Sequence, residues 1–174
     1  MGSQPNLLPS VPEPGGTRPL TPVPAQSEQP SPVFTGEYRH TVDDKGRLPV
    51  PARFRADLAQ GGVVSKWIDG CVALHPRDEW EALAKQIADL PFTDANARTL
   101  RRHLFGSAFE VSLDRQGRFV LPPPLRQAAG LETEVVVVGA LNRLELWSPE
   151  RWARYSEQMD QPEALAESLQ GLGI

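Results

Sequence analysis

The chain has a single cysteine, Cys71, among 174 residues. An internal disulfide is therefore excluded, and with it the small disulfide-stapled class. Cys71 falls in an apolar strand-like run and reads as a small core residue. No uninterrupted apolar run approaches the roughly 18 residues needed to span a bilayer. The N-terminus lacks the basic start and apolar stretch of a secretory leader. Met1-Gly2-Ser3 is followed by Asn6, where a myristoylation signal has Ser or Thr. His40, His75 and His103 are scattered, with no cysteine or carboxylate at metal-ligand spacing, so no metal or cofactor is expected. A glycine-rich phosphate loop and a nucleophile motif are also missing, which argues against an enzyme. Asp43-Asp44 is a carboxylate pair, but adjacent strand or turn side chains diverge and do not share a proton.

Positive charge is scarce overall, the net being −4. Its distribution matters more. Residues 157–174 hold Glu157, Asp160, Glu163 and Glu167 and no cation. Arg39, Lys45, Arg47, Arg53 and Arg55 face only Asp43 and Asp44 within their stretch, and Arg115, Arg118 and Arg126 face only Asp114. An acidic chain can thus carry locally basic segments. Residues 1–33 contain nine prolines and no apolar periodicity, and read as an extended, disordered tail.

What the chain does have is a repeat. Val42-Asp43-Asp44-Lys45-Gly46-Arg47-Leu48-Pro49-Val50-Pro51-Ala52-Arg53-Phe54-Arg55 matches Leu113-Asp114-Arg115-Gln116-Gly117-Arg118-Phe119-Val120-Leu121-Pro122-Pro123-Pro124-Leu125-Arg126 at a constant offset of 71. Leu74–Trp80 and Leu146–Trp152 extend the likeness with a one-residue shift. Such self-similarity implies an internal duplication and pseudo-two-fold symmetry. Each copy alone is marginal in size, whereas two packed together make a viable core.

Each copy reads as a strand (Glu37–Val42; Ala108–Leu113), a tight Asp-x-x-Gly turn closing a hairpin, and a returning strand (Arg47–Val50; Arg118–Leu121). Asp43 and Asp114 suit the first turn position, and Gly46 and Gly117 the left-handed one. Pro51 and Pro122 then open short helices over Arg53–Leu58 and Leu125–Ala129, ended by Gly61-Gly62 and Gly130. Two strands follow in each copy: Val63–Ile68 with Cys71–His75, and Glu134–Gly139 with Arg143–Trp147. The run Val135–Val138 implies a strand buried on both faces. Helices start at Pro76 and Pro149, with a further one over Thr93–Phe105 capped by Thr93, and Pro162–Gln170 is weakly helical. Trp80 and Trp152 fall at core spacing, and Arg98, Arg101 and Arg102 read as a solvated stripe or a subunit contact.

Turn chemistry accounts for the aspartates and glycines but not for arginine at 47 and again at 118. A guanidinium fork matches the O6 and N7 edge of guanine, and a two-stranded ribbon fits the major groove. Lys45 and Arg115 at the turn tips suit phosphates; Arg53, Arg55 and Arg126 hold phosphates or brace the turns. The rival reading is an antitoxin-like partner or ring scaffold that binds protein and reads no DNA.

Phe34–Tyr38, Asp43–Pro51, Leu104-Phe105-Gly106 and Leu144–Trp147 together resemble the MraZ family of bacterial transcriptional regulators, over Phe34 to about Tyr155. The family is encoded at the head of the division and cell-wall gene cluster. The resemblance implies an α+β fold of two tandem swapped-hairpin modules, similar to AbrB and MazE, packed as a pseudo-two-fold β-barrel with flanking helices. The modules are expected at 34–107 and 108–160, between the proline-rich tail and an acidic tail at 161–174. It further implies a ring-shaped homo-oligomer, a cytoplasmic, nucleoid-associated protein, and repression of its own operon through G-rich direct repeats in promoter DNA. The family's Asp-x-x-x-Arg motif matches Asp43/Arg47 and Asp114/Arg118, and its basic turn residue matches Lys45; Gln116 stands at the second position. The tail at 1–33 is not part of the family pattern.

Overall fold

The computed structural model describes residues 32–172; the extended tail expected over 1–33 lies almost wholly outside them. The first copy supplies β1 (Glu37–Thr41), β2 (Arg47–Pro49), β3 (Gly62–Lys66) and β4 (Val72–Pro76), then α1 (Arg77–Ala88) and α2 (Ala95–Phe105). The second supplies β5 (Phe109–Val111), β6 (Arg118–Val120), α3 (Pro123–Ala129), β7 (Glu134–Gly139) and β8 (Leu144–Trp147), then α4 (Pro149–Met159) and α5 (Pro162–Leu172). The result is a mixed α+β fold.

The strand partners are the main departure from the expected local hairpins. The Asp-x-x-Gly turns form, but β1 does not pair with β2, nor β5 with β6. Instead β1 pairs with β7 of the second copy, and β5 with β3 of the first. Among the described residues β2 and β6 pair only with each other. An isolated two-stranded hairpin is marginal in water, whereas these exchanges place each first strand on a sheet already backed by core. The main sheet runs β1-β7-β8-β4-β3-β5 and is open, with β1 and β5 at its edges, so strand pairing does not close a barrel.

The duplication is visible in the register. Leu48 pairs with Phe119, its own repeat equivalent 71 positions on. Ala73 pairs with Glu145, its equivalent in the shifted part of the repeat. A strand paired in antiparallel fashion with its own copy must be centred on the symmetry axis. That axis therefore passes through the middle of the β2–β6 ribbon and through the β4–β8 seam.

Both copies feed one core. Leu48, Phe54, Leu58, Val64 and Leu74 pack with Phe119, Leu121, Leu125, Val135 and Leu146, all buried. Val135 and Val137 face this core, and Val136 and Val138 face a second cluster with Cys71, Trp147, Trp152 and Tyr155, as a two-sided strand requires. Burial pushes the Cys71 thiol pKa up, so it stays protonated and inert. Trp80 and Trp152 are half-buried; each packs at a tilt on a neighbour, Trp80 on Phe105 and Trp152 on Trp147.

Three local expectations change. The helix expected at Arg53–Leu58 is a single 3-10 turn, Ala52–Phe54, followed by further turns. The first copy has two more residues between its proline and closing glycine than the second, and turns take them up; Phe54 and Leu58 still point inward. The α2 cap is Asp94, not Thr93, because its carboxylate accepts from the N–H groups of Asn96 and Ala97. Arg98 and Arg101 are not a solvated stripe: Arg101 donates to the carbonyls of Ile87, Ala88 and Leu90, closing the C-terminus of α1, and Arg98 donates to those of Phe92 and Thr93.

Candidate nucleic-acid interface

The site is built from the two turns and the ribbon between them. In the first turn Gly46 N–H donates to Asp43 O, and Asp43 N–H to Arg47 O. Gly46 sits at φ 74° and Gly117 at φ 73°, a region that costs other L-residues about 1–2 kcal/mol. The Asp43 carboxylate does more than shape the turn. Oδ1 accepts the backbone N–H of Lys45 and of Arg47, each at 2.9 Å, and Oδ2 accepts Nε–H of Arg47 at 2.8 Å. Asp114 repeats the arrangement with Gln116 and Arg118 at 2.9 Å. Both carboxyl pKa values are lowered, first by the backbone N–H of Arg47 or Arg118 respectively, so both are ionised at neutral pH.

The two arginines come together. Arg118 Nη1 lies 3.7 Å from Asp43 Oδ2, so the first turn's carboxylate faces both guanidinium groups. Arg118 Nη2 is also 2.8 Å from Asp114. Among the described residues, neither terminal nitrogen of Arg47 makes a hydrogen bond within the chain. The ribbon explains the convergence. Arg47 pairs with Val120 and Pro49 with Arg118, and cross-strand partners share a face. Leu48 and Phe119 alternate to the other face and are buried. The turns interlock at either end, because Val50 N–H donates to Gly117 O and Leu121 N–H to Gly46 O.

The remaining cations divide into two groups. Lys45 and Arg115 are exposed at the turn tips. Arg53 is also exposed, with Nη1 3.3 Å from the Tyr38 hydroxyl and its guanidinium over the Phe54 ring. Arg55 instead donates Nε–H to Val50 O, and its side chain lies against Gly117 of the opposite turn. Its repeat equivalent, Arg126, donates to the carbonyls of Leu131 and Glu132. These two tie the ribbon and α3 to the rest of the fold. Sequence reasoning assigned the aspartates to the turn alone and missed their grip on the arginines. The Asp-x-x-x-Arg spacing, an (i, i+4) ion pair made twice, was the available signal. Among the described residues no group of three His, Cys, Asp or Glu side chains could hold a metal ion, and no helix is long and apolar enough to cross a membrane.

Fold and site together define an internally duplicated α+β protein whose halves exchange first strands and present paired arginines on a shared ribbon. Residues 33–103 and 104–170 each match the family model described as "MraZ protein, putative antitoxin-like". Relatives named transcriptional regulator MraZ include those of Syntrophomonas wolfei, 44% identical over 82% of this chain and 100% of the relative, and Moorella thermoacetica, 49% identical over 79% and 96%. That of Desulfitobacterium hafniense is 47% identical over 82% of this chain and its own full length. The chain belongs to the MraZ family.

Proposed function

We propose that this chain is a sequence-specific DNA-binding regulator of transcription that reads guanines with Arg47 and Arg118 and represses its own division and cell-wall operon. The observation that carries the reading is the convergence of those two arginines on one face, with the terminal nitrogens of Arg47 left to donate. A guanidinium held by a carboxylate at Nε presents its outer edge in a defined direction, and a bidentate contact to O6 and N7 needs that direction. Lys45, Arg53 and Arg115 supply phosphate contacts, which position the ribbon without reading sequence. Arg55 braces it, while Arg126 ties α3 to the segment that leads into β7. The exchange of β1 and β5 between copies supports the finer architecture of two swapped-hairpin modules, 34–107 and 108–160. One ribbon is a small reading head. A closed ring of identical subunits would set several along G-rich direct repeats and multiply their affinity through effective concentration, holding the protein on the nucleoid.

The test is binding to the duplex upstream of its own coding region across a salt series, with assembly mass measured in parallel. Three phosphate contacts per engaged chain give a log–log salt slope of roughly −3. Arg47→Ala is expected to lose about 1–3 kcal/mol and relax guanine preference. An unchanged preference in that variant refutes base reading. No DNA binding at low salt favours the antitoxin-like or scaffold role.

A further inference from the structure

The arginine face of the ribbon also carries an apolar side chain that neither turn geometry nor guanine reading requires. Val120 is 56% exposed, whereas its chain neighbours Phe119 and Leu121 are buried at 2% and 1%. It is the direct cross-strand partner of Arg47. On the other rung Arg118 faces Pro49, so both arginines stand beside an apolar neighbour. Direct antiparallel partners have Cβ atoms roughly 4.5–5.5 Å apart, and bases on one strand rise by about 3.4 Å. If Arg47 reads a guanine, that spacing sets its apolar partner between one and two base steps away along the groove. The apolar group offered on the major-groove floor is the thymine C5-methyl.

We propose that Val120 is a specificity-determining residue that packs on the C5-methyl of a thymine adjacent to the guanine read by Arg47. The inference rests on the DNA-reading role of Arg47 and deepens it. One arginine and one valine on a single rung then ask for a thymine–guanine step, where an arginine alone asks only for guanine. The pseudo-symmetric position holds Pro49, whose ring has a different shape and is half-buried, so the two rungs are not equivalent. One ribbon consequently reads an asymmetric sequence despite its two-fold backbone.

Deoxyuridine differs from thymidine only by that methyl and is the direct probe. Binding of the full chain is compared on its upstream duplex and on duplexes in which each thymine flanking a guanine is replaced singly by deoxyuridine. The wild type is expected to lose about fourfold in affinity at one such position, the effect of one buried methyl. Val120→Ala is expected to bind the thymine and uracil duplexes equally. Because Val120 is exposed, the variant should unfold at the wild-type temperature, and that measurement separates lost recognition from lost fold. A wild type indifferent to the methyl at every position, or a Val120→Ala variant that keeps the wild-type thymine-to-uracil ratio, overturns the inference. Arg47→Ala in the same series separates the two levels. If it loses guanine preference while the wild type ignores the methyl, only the role of Val120 fails; if guanine preference survives in it, the underlying reading fails as well.

Discussion

Removing the Asp43 carboxylate should damage DNA recognition more than removing that of Asp114, although the two occupy equivalent turns. Asp43 Oδ2 faces Arg47 at 2.8 Å and Arg118 at 3.7 Å, whereas among the described residues Asp114 pairs with one arginine, Arg118. A carboxylate that holds an arginine ready removes most of the entropy that arginine would lose on binding. Ordering one long side chain is worth a factor of roughly two to ten in a binding constant. Asp43→Ala frees Arg47 and removes one of the two carboxylates facing Arg118, which Asp114 still holds, so specific binding should weaken by about 2- to 20-fold; Asp114→Ala leaves Arg118 facing Asp43 and should weaken it by about 2- to 5-fold. Non-specific binding should move the other way, because a negative charge beside the phosphates has gone. Fluorescence anisotropy on specific and scrambled duplexes at one salt concentration measures both, with thermal unfolding as the check on fold. Equal losses from the two variants, or parallel losses on both duplexes, would refute pre-organisation by a shared carboxylate.

Two predictions concern stability. Gly46 and Gly117 share the left-handed conformation, but a methyl at Gly46 meets open space, whereas one at Gly117 overlaps Nε and Cδ of Arg55. Gly46→Ala should cost about 1 kcal/mol and Gly117→Ala at least twice that, by denaturant titration, since only the second displaces the brace; equal costs would mean Arg55 moves freely. His75 is buried between Trp67 and Trp80, neither ring nitrogen has a partner among the described residues, and burial pushes its pKa down to about 4. The unfolded chain therefore binds the proton first as pH falls below about 6.5, so stability should decline by about 3 kcal/mol between pH 6.5 and 4. His75→Phe should flatten that part of the pH–stability curve; an unchanged slope would exclude His75 as its source.

The duplication, the turns, the strands and the arginine pair were legible in the chain because each depends on near neighbours. An Asp-x-x-Gly stretch satisfies its own N–H groups whatever surrounds it, and a constant offset needs no coordinates. The exchange of β1 and β5 was not legible from the local pattern. A strand edge offers the same N–H and C=O groups to any other edge, and the choice falls to whichever pairing buries most apolar surface. The same holds for the reach of Asp43 to Arg118 and for Arg55 lying under the opposite turn, since both cross between copies. Sequence alone determined that there are two equivalent units, each with an arginine at its turn. Tertiary structure decided that those units interlock, because only the antiparallel pairing of β2 with its own repeat puts both arginines on one side of one ribbon.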